Sequence, residues 1–242
     1  FNTTAVGPKI EHLINEALEK SQSCRAKRNY LGGSRLGVDC ERALQFEYFG
    51  TPCDEGKEIK GRTLRIFHRG HAGEDWMAQW LMNAGFELRV KRPNGKQFGF
   101  SQLDGRIKGH IDGVFFDGPY IEGLSYPCLW ENKVVGKGTF TKFKRGKLHT
   151  SSPEYYGQVQ IYSAYMQLHE NPALFTALCA DDMAIHAELV PFDAEKAQAL
   201  SDKGLRIIKA CDAGEMLPRV ASVPDFYQCK WCSWAERCWK GE

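Results

Sequence analysis

With 242 residues, 43% hydrophobic and 26% charged, the sequence suits one soluble globular domain with a sizeable core and a small appendage. A formal net charge of +2 and a pI near 8.1 exclude a surface that is basic throughout, so any nucleic-acid affinity must come from local clusters. No apolar run approaches the ~20 residues that span a bilayer, and the opening FNTTAVGPKIEHL lacks the charged start and apolar middle of a secretory signal.

These features point to an intracellular, cytoplasmic protein with no membrane partner, and a first residue other than Met suggests a trimmed chain. In KIEHLINEALEK, the residues Ile10, Leu13, Ile14, Ala17 and Leu18 share one helical face. Positions 21–38 read as a basic, flexible connection into a second helix containing Cys40, and a third helix is expected over 63–83. Strand-like runs follow at 86–90, 98–103, 106–116 and 126–135, separated by Gly, Asn and Pro, and suggest an antiparallel meander. A helix from about 153 to 169, strands at 174–180 and 184–190 and a helix at 194–210 complete the order. The abrupt composition change is the Cys/Trp-rich tail after Pro224, and the expected division is an N-terminal helical region (1–62), a core (63–223) and a tail (224–242).

The run LWENKVV at 129–135 reads as a buried strand yet carries Glu131 and Lys133. In an extended chain these two project together, while Trp130, Asn132 and Val134 point the other way. Buried charges must be paired or coordinate a metal, so the patch is a structural ion pair or part of a site. Nineteen positions upstream, GHIDGVFF puts Asp112 at the end of another strand. Two acids on neighbouring strands suit a hard divalent cation such as Mg²⁺, with Lys133 beside a bound water or phosphate. That is the equipment of phosphodiester hydrolysis. In the helix beginning at Pro153, Gln158 and Tyr162 are four apart and share a face, so both can point at the same strand edge.

The set Asp112, Glu131-x-Lys133 and Gln158-x-x-x-Tyr162 resembles the RecB-like branch of the PD-(D/E)XK nuclease superfamily. The resemblance implies an α/β fold, a mixed central sheet flanked by helices. It implies Mg²⁺ or Mn²⁺ on Asp112 and Glu131 with the backbone carbonyl of Asn132 as a further ligand, water oriented by Lys133, and Gln158 and Tyr162 lining the site and touching DNA. The family's upstream Gly-x-x-x-His pattern departs here: in RGHAGED, Gly70 is followed by Glu74, which is favoured as the remaining ligand with His71 second and His68 a bystander.

Nine cysteines in a long chain without a secretory signal argue for thiols or metal ligands over disulfides. YQCKWCSWAERCW places Cys229, Cys232 and Cys238 as C-x2-C-x5-C, three thiols that need a fourth. Spacing alone allows a zinc knuckle or a [4Fe-4S] cluster. The pattern resembles the iron-sulfur nucleases of the same superfamily, the CRISPR-associated and AddB types, whose upstream cysteine corresponds to Cys40 in VDCERALQF. That implies a [4Fe-4S] cluster, with zinc second, closing both chain ends into a cysteine-held helical cap. Cys24, Cys53, Cys128, Cys179 and Cys211 have no partner pattern.

Positions 133–147 carry Lys133, Lys137, Lys142, Lys144, Arg145 and Lys147 with no acid, and Phe140 and Phe143 interleaved. Cations track phosphates and rings stack on bases, so this segment, bordering the metal site, is expected to line a channel for single-stranded DNA or DNA ends, extended by Arg25, Lys27, Arg28 and Arg35. The expected activity is a Mg²⁺- or Mn²⁺-dependent DNA exonuclease. Without a P-loop it would work alone or with a separate helicase, recombinase or integrase. The competing reading is a non-catalytic DNA-binding adaptor of a recombination or CRISPR-adaptation complex.

Overall fold

The computed structural model describes residues 5–24 and 28–240. Arg25 and Lys27 lie outside the described residues. Helix α1 (Val6–Ser23) forms where the period predicts, but none of its residues is buried. It lies antiparallel on α3 (Gly61–Asn83) through its polar stripe: Glu19 Oε1 accepts the Gly61 amide at 2.6 Å and Glu11 meets Arg65 at 2.6 Å. The stripe of Ile10, Leu13 and Ile14 faces away and stays exposed.

After α1 come a short strand β1 (Leu31–Gly32), a single 3₁₀ turn and α2 (Glu41–Tyr48). Cys40 is the N-cap of α2, just outside the helix expected to contain it. Strands β2 (Glu87–Arg89), β3 (Gly99–Gln102), β4 (Ile107–His110), β5 (Gly113–Asp117) and β6 (Cys128–Val135) then succeed one another. They do not form a single meander. β4 belongs to a three-stranded sheet ordered β1-β4-β3, and β5 and β6 to a five-stranded sheet ordered β2-β5-β6-β7-β8, where β7 is Ala173–Cys179 and β8 Ile185–Val190. The strand expected over 106–116 therefore breaks at Ile111 and Asp112, where the chain leaves one sheet for the other.

In the larger sheet β6 and β7 run parallel and every other pairing is antiparallel. Every residue of β7 is buried, because helices cover both faces. One layer is α3, whose Met77 and Ala78 pack with Phe115, Trp130 and Leu178. The other layer holds α6 (Pro153–Tyr165) and α7 (Ala194–Asp212), whose Val159, Ile161, Leu200 and Ile207 pack with Leu129 and Phe175. Complete burial of Trp130 alone is worth on the order of several kcal/mol. Helix α6 stops four residues short of the expected end, turning at Gln167 with a φ of 58°.

The basic stretch holds a helix, α4 (Lys137–Arg145), followed by a single turn α5 (Leu148–Ser151). Gly138, Thr139 and Thr141 are weak helix formers, so propensity gives little warning. Tertiary contacts hold it: Phe140 and Phe143 enter the core, and Asp181 Oδ2 accepts the Lys137 amide at 2.6 Å. The expectation that Phe140 and Phe143 stack on bases is therefore corrected, since burial leaves their faces no access to a ligand. The tail forms two short helices, α8 (Tyr227–Lys230) and α9 (Ala235–Lys240).

Helix α3 approaches β6 closely because Gly73 has no side chain: a Cβ there would stand 2.7 Å from Val134 Cγ2, whereas one on Gly70 would meet nothing within 4 Å. Gly70→Ala should therefore stabilise the fold by about 0.5–1 kcal/mol through helix propensity. Gly73→Val should destabilise it by about 1–3 kcal/mol through overpacking. Thermal or urea unfolding of the two variants checks the opposite signs.

Candidate active site

The alternation of β6 sorts its side chains as the extended geometry requires. Trp130 and Val134 meet the α3 layer, while Leu129 and Val135 join the core under α6. Glu131 is on the α6 side, fully buried, and Lys133 beside it keeps its side chain 19% exposed. The ammonium pairs with Glu131 Oε1, and Gln158 Nε2 donates to the same oxygen at 2.5 Å. Glu131 Oε2 is buried with no hydrogen-bond partner.

Asp112 stands where the chain changes sheets, and its Oδ2 accepts the Asn132 amide at 2.7 Å. Asn132 is held in turn from the opposite face. Trp130 Nε1 donates to Thr176 Oγ1 at 2.9 Å, and Thr176 Oγ1 donates to Asn132 Oδ1 at 2.8 Å. Thr176 is opposite Asn132 in the parallel β6–β7 register. On α6, Tyr155 puts its ring 5.2 Å from the Lys133 ammonium. Tyr162 is buried against Phe100, with ring centroids 5.4 Å apart, and a Cβ on Gly109 would stand 2.9 Å from its ring. Thr176 and Tyr155 escaped the sequence reading. Thr176 becomes relevant only through sheet register, whereas Tyr155, three residues before Gln158, was visible as a neighbour on the same helical face.

Three carboxylates share this site. Burial, then repulsion by Asp112, pushes Glu131 up to about 8 against the pull of Lys133. Burial, then Asp112, pushes Glu74 up to about 7, and burial also raises Asp112. Desolvation would lower Lys133, but Glu131 and Asp112 outweigh it and hold the ammonium above its usual range. Tyr162 is raised by burial and then by Glu131. Glu74 is half-buried, is raised by Asp112 and in turn raises Glu131, whereas His71 is exposed and acts on Asp112 as a weak attractive charge. His68 is exposed.

Among the described residues no three His, Cys, Asp or Glu side chains are already converged on a metal-ion position. The fit of a hard divalent cation rests on the unpartnered Glu131 Oε2 and on three acids that a single ammonium does not neutralise.

The four predicted cluster cysteines, Cys40, Cys229, Cys232 and Cys238, come from both chain ends and line one open cavity of about 790 Å³ without being converged on a metal-ion position. The Cys232 thiol, raised by burial, is raised further by the other three. The Trp234 amide donates to Cys232 Sγ at 3.4 Å. The tail is also docked by ordinary contacts: Asp54 Oδ2 accepts the Glu236 amide at 2.7 Å, Trp234 Nε1 donates to Thr51 O at 3.1 Å, and Trp234 packs 5.7 Å from Phe46.

Of the predicted DNA-contacting cations, Lys137, Lys142, Lys144, Arg145 and Lys147 are exposed. Arg28 is exposed beside Tyr30, 5.9 Å from its ring centroid. Arg35 is instead committed within the protein, to Glu47 at 2.9 Å and Glu154 at 2.9 Å.

The architecture, a mixed sheet flanked by helices with an acid at the sheet junction and Glu-x-Lys on its central strand, is found in solved structures of nucleases. The fold is shared with the alkaline exonuclease LHK-Exo from Laribacter hongkongensis, which is 14% identical and aligns over 83% of this chain and 94% of its own, with a TM-score of 0.54. LHK-Exo in complex with dAMP aligns at 16% identity over 77% of this chain and 89% of its own, with a TM-score of 0.52. Neither a protein-family model nor a curated protein matches the sequence.

The raised carboxylates set a pH dependence. An acid whose folded value is raised contributes stability below its unfolded value near 4.5 and loses it as pH climbs through the folded value, here to about 8 for Glu131. In EDTA, Glu131→Gln should therefore gain stability over the unmodified chain as pH rises from 5 to 8, by up to several kcal/mol. Unfolding curves across that range check it, and parallel pH profiles would count against it.

Proposed function

We propose that this chain is a Mg²⁺- or Mn²⁺-dependent DNA exonuclease that hydrolyses phosphodiester bonds in single-stranded DNA or at DNA ends. The observation that carries the reading is the buried, unpartnered Oε2 of Glu131 within three carboxylates served by one lysine. Asp112, Glu131, the carbonyl of Asn132 and Glu74 would hold the cation, with His71 as the alternative to Glu74. When bound, the cation would supply Lewis-acid charge neutralisation and a water that ionises near neutral pH.

The chain's own side chains carry the remaining roles. Lys133, held above its usual range, remains a cation that orients water and meets phosphate. Gln158 fixes Glu131 through Oε1, leaving Oε2 for the ion. Tyr162 keeps a neutral phenol in the buried wall of the site, since burial and Glu131 disfavour its anion. Lys137, Lys142, Lys144, Arg145 and Lys147 give α4 and the turn after it an outward cationic face for a phosphate backbone. The shared fold with an alkaline exonuclease, solved also with dAMP, supports a DNA substrate. The four cysteines would hold a [4Fe-4S] cluster, a reading supported by the placement of Cys40 and the three tail cysteines around one cavity. A helicase, recombinase or integrase acting on the same DNA is a candidate partner.

Glu131→Ala and Lys133→Ala should each lower cleavage of end-labelled DNA by about a hundredfold or more while leaving binding in EDTA largely intact. Glu74→Ala should cost more activity than His71→Ala. Wild-type cleavage by either of the first two variants would remove the assignment, and retained binding without cleavage in the unmodified chain would favour the adaptor reading.

Protein purified without oxygen should be brown with about four irons per chain. Cys40→Ala or Cys232→Ala should lower iron and promote aggregation, and Cys128→Ala should change neither. EDTA should stop cleavage before it removes the colour, because hard oxygen ligands release their ion more readily than thiolates release a cluster. Stoichiometric zinc without iron would replace the cluster by a zinc site and leave the nuclease reading standing.

A further inference from the structure

Burial of Phe140 and Phe143 removes the only rings within the cationic segment, leaving α4 with phosphate-binding charge and nothing to meet a base. Two rings from the other end of the chain stand in their place. Trp231 is 86% exposed and Tyr227 63% exposed, four residues apart across α8, and both line the open cavity that Lys142 of α4 also lines. Apart from the four cysteines that share this cavity, its charged side chains balance, Arg35, Lys142 and Arg219 against Asp39, Glu47 and Glu154, while the adjoining α4 face is cationic. Glu154 is one helical turn before Gln158 on α6, a rise of about 6 Å, which puts the cavity wall next to the carboxylate site.

Two exposed rings in a cavity that borders a cationic helix match one class of ligand, a chain with aromatic faces on one side and phosphates on the other. We propose that Trp231 and Tyr227 form a base-stacking platform for single-stranded nucleic acid, whose phosphates follow Lys142, Lys144 and Lys147 and whose bases lie over the two rings. This rests on the nuclease reading for its direction, since the strand would pass from the platform to the carboxylates. Paired bases in a duplex are stacked on one another and offer no free face, so the platform selects unpaired strands.

The test is binding in EDTA, which reads association without cleavage, using a fluorescein-labelled oligothymidine and a blunt hairpin duplex as probes. Trp231→Ala should weaken oligothymidine binding about tenfold, Tyr227→Ala less, and neither should change duplex affinity. Trp231→Phe should restore most of the loss, and the salt slope should stay that of the unmodified chain. The combined Lys142→Ala, Lys144→Ala, Lys147→Ala variant should instead flatten the salt slope for both probes. Unfolding curves and visible absorption matched to the unmodified chain keep the comparison to folded protein, and Tyr227→Ala serves if Trp231→Ala fails to fold. Unchanged oligothymidine affinity, or an equal loss on both probes, overturns the platform. A selective loss in a chain that never cleaves DNA would retain the platform and remove the nuclease reading, and intact cleavage without a selective loss would do the reverse.

Discussion

Complete burial of a carboxylate on a central strand is the constraint around which the rest is arranged. Taking Glu131 out of water costs several kcal/mol unless its charge is met. The strand's own period supplies Lys133 on the same face, and the helix above supplies Gln158, but both are spent on Oε1. The second oxygen, with Asp112 and Glu74 nearby, leaves three acids whose charge Lys133 offsets only in part. A cluster of this kind opposes folding in its ionised form and gains most from a divalent ion, so stability and proposed chemistry are tied to the same atoms.

Much of the surrounding packing serves to keep those atoms in register. The Trp130–Thr176–Asn132 chain pins the amide that holds Asp112, from the face of the sheet opposite Glu131. Gly73 lets α3 come near enough to β6 to bring Glu74 within the field of the other acids. Gly109 leaves room for the ring of Tyr162. None of these residues has a reactive group, yet each decides where one lies.

The two chain ends meet around α2 for a second set of reasons. Asp54 caps α9, Trp234 packs on Phe46, and Gln228 donates to Asp39 at 2.9 Å. These contacts bring four thiols to one cavity using only ordinary interactions, so a bound cluster would add to an existing junction. Along the neighbouring α4, the same amphipathic economy separates roles: rings inward to the core, cations outward to solvent.

Local pattern carried a large part of this in the sequence alone. The placement of Glu131 and Lys133 together, the helix bearing Gln158 and Tyr162, and the long helix bearing Glu74 all follow from periods of two and 3.6 residues, which are properties of the backbone and need no partner. Cation spacing in 133–147 was equally plain, but whether Phe140 and Phe143 faced solvent or core depended on a core that those positions do not encode locally. Sheet membership was likewise undecided: a break at Asp112 divides one apparent strand between two sheets because each half finds different partners, β3 for one and β6 for the other. The commitment of Arg35 to Glu47 and Glu154, the bracket from Thr176, the exposed rings of Trp231 and Tyr227 beside Lys142, and the unpaired oxygen of Glu131 are all consequences of contacts across more than ten residues of sequence. Sequence by itself determined which chemical groups were available and which face of each element they occupy, since that is set by backbone geometry within a few residues. Tertiary structure decided which of them are desolvated, paired or left open, because burial and charge compensation are properties of the assembled core.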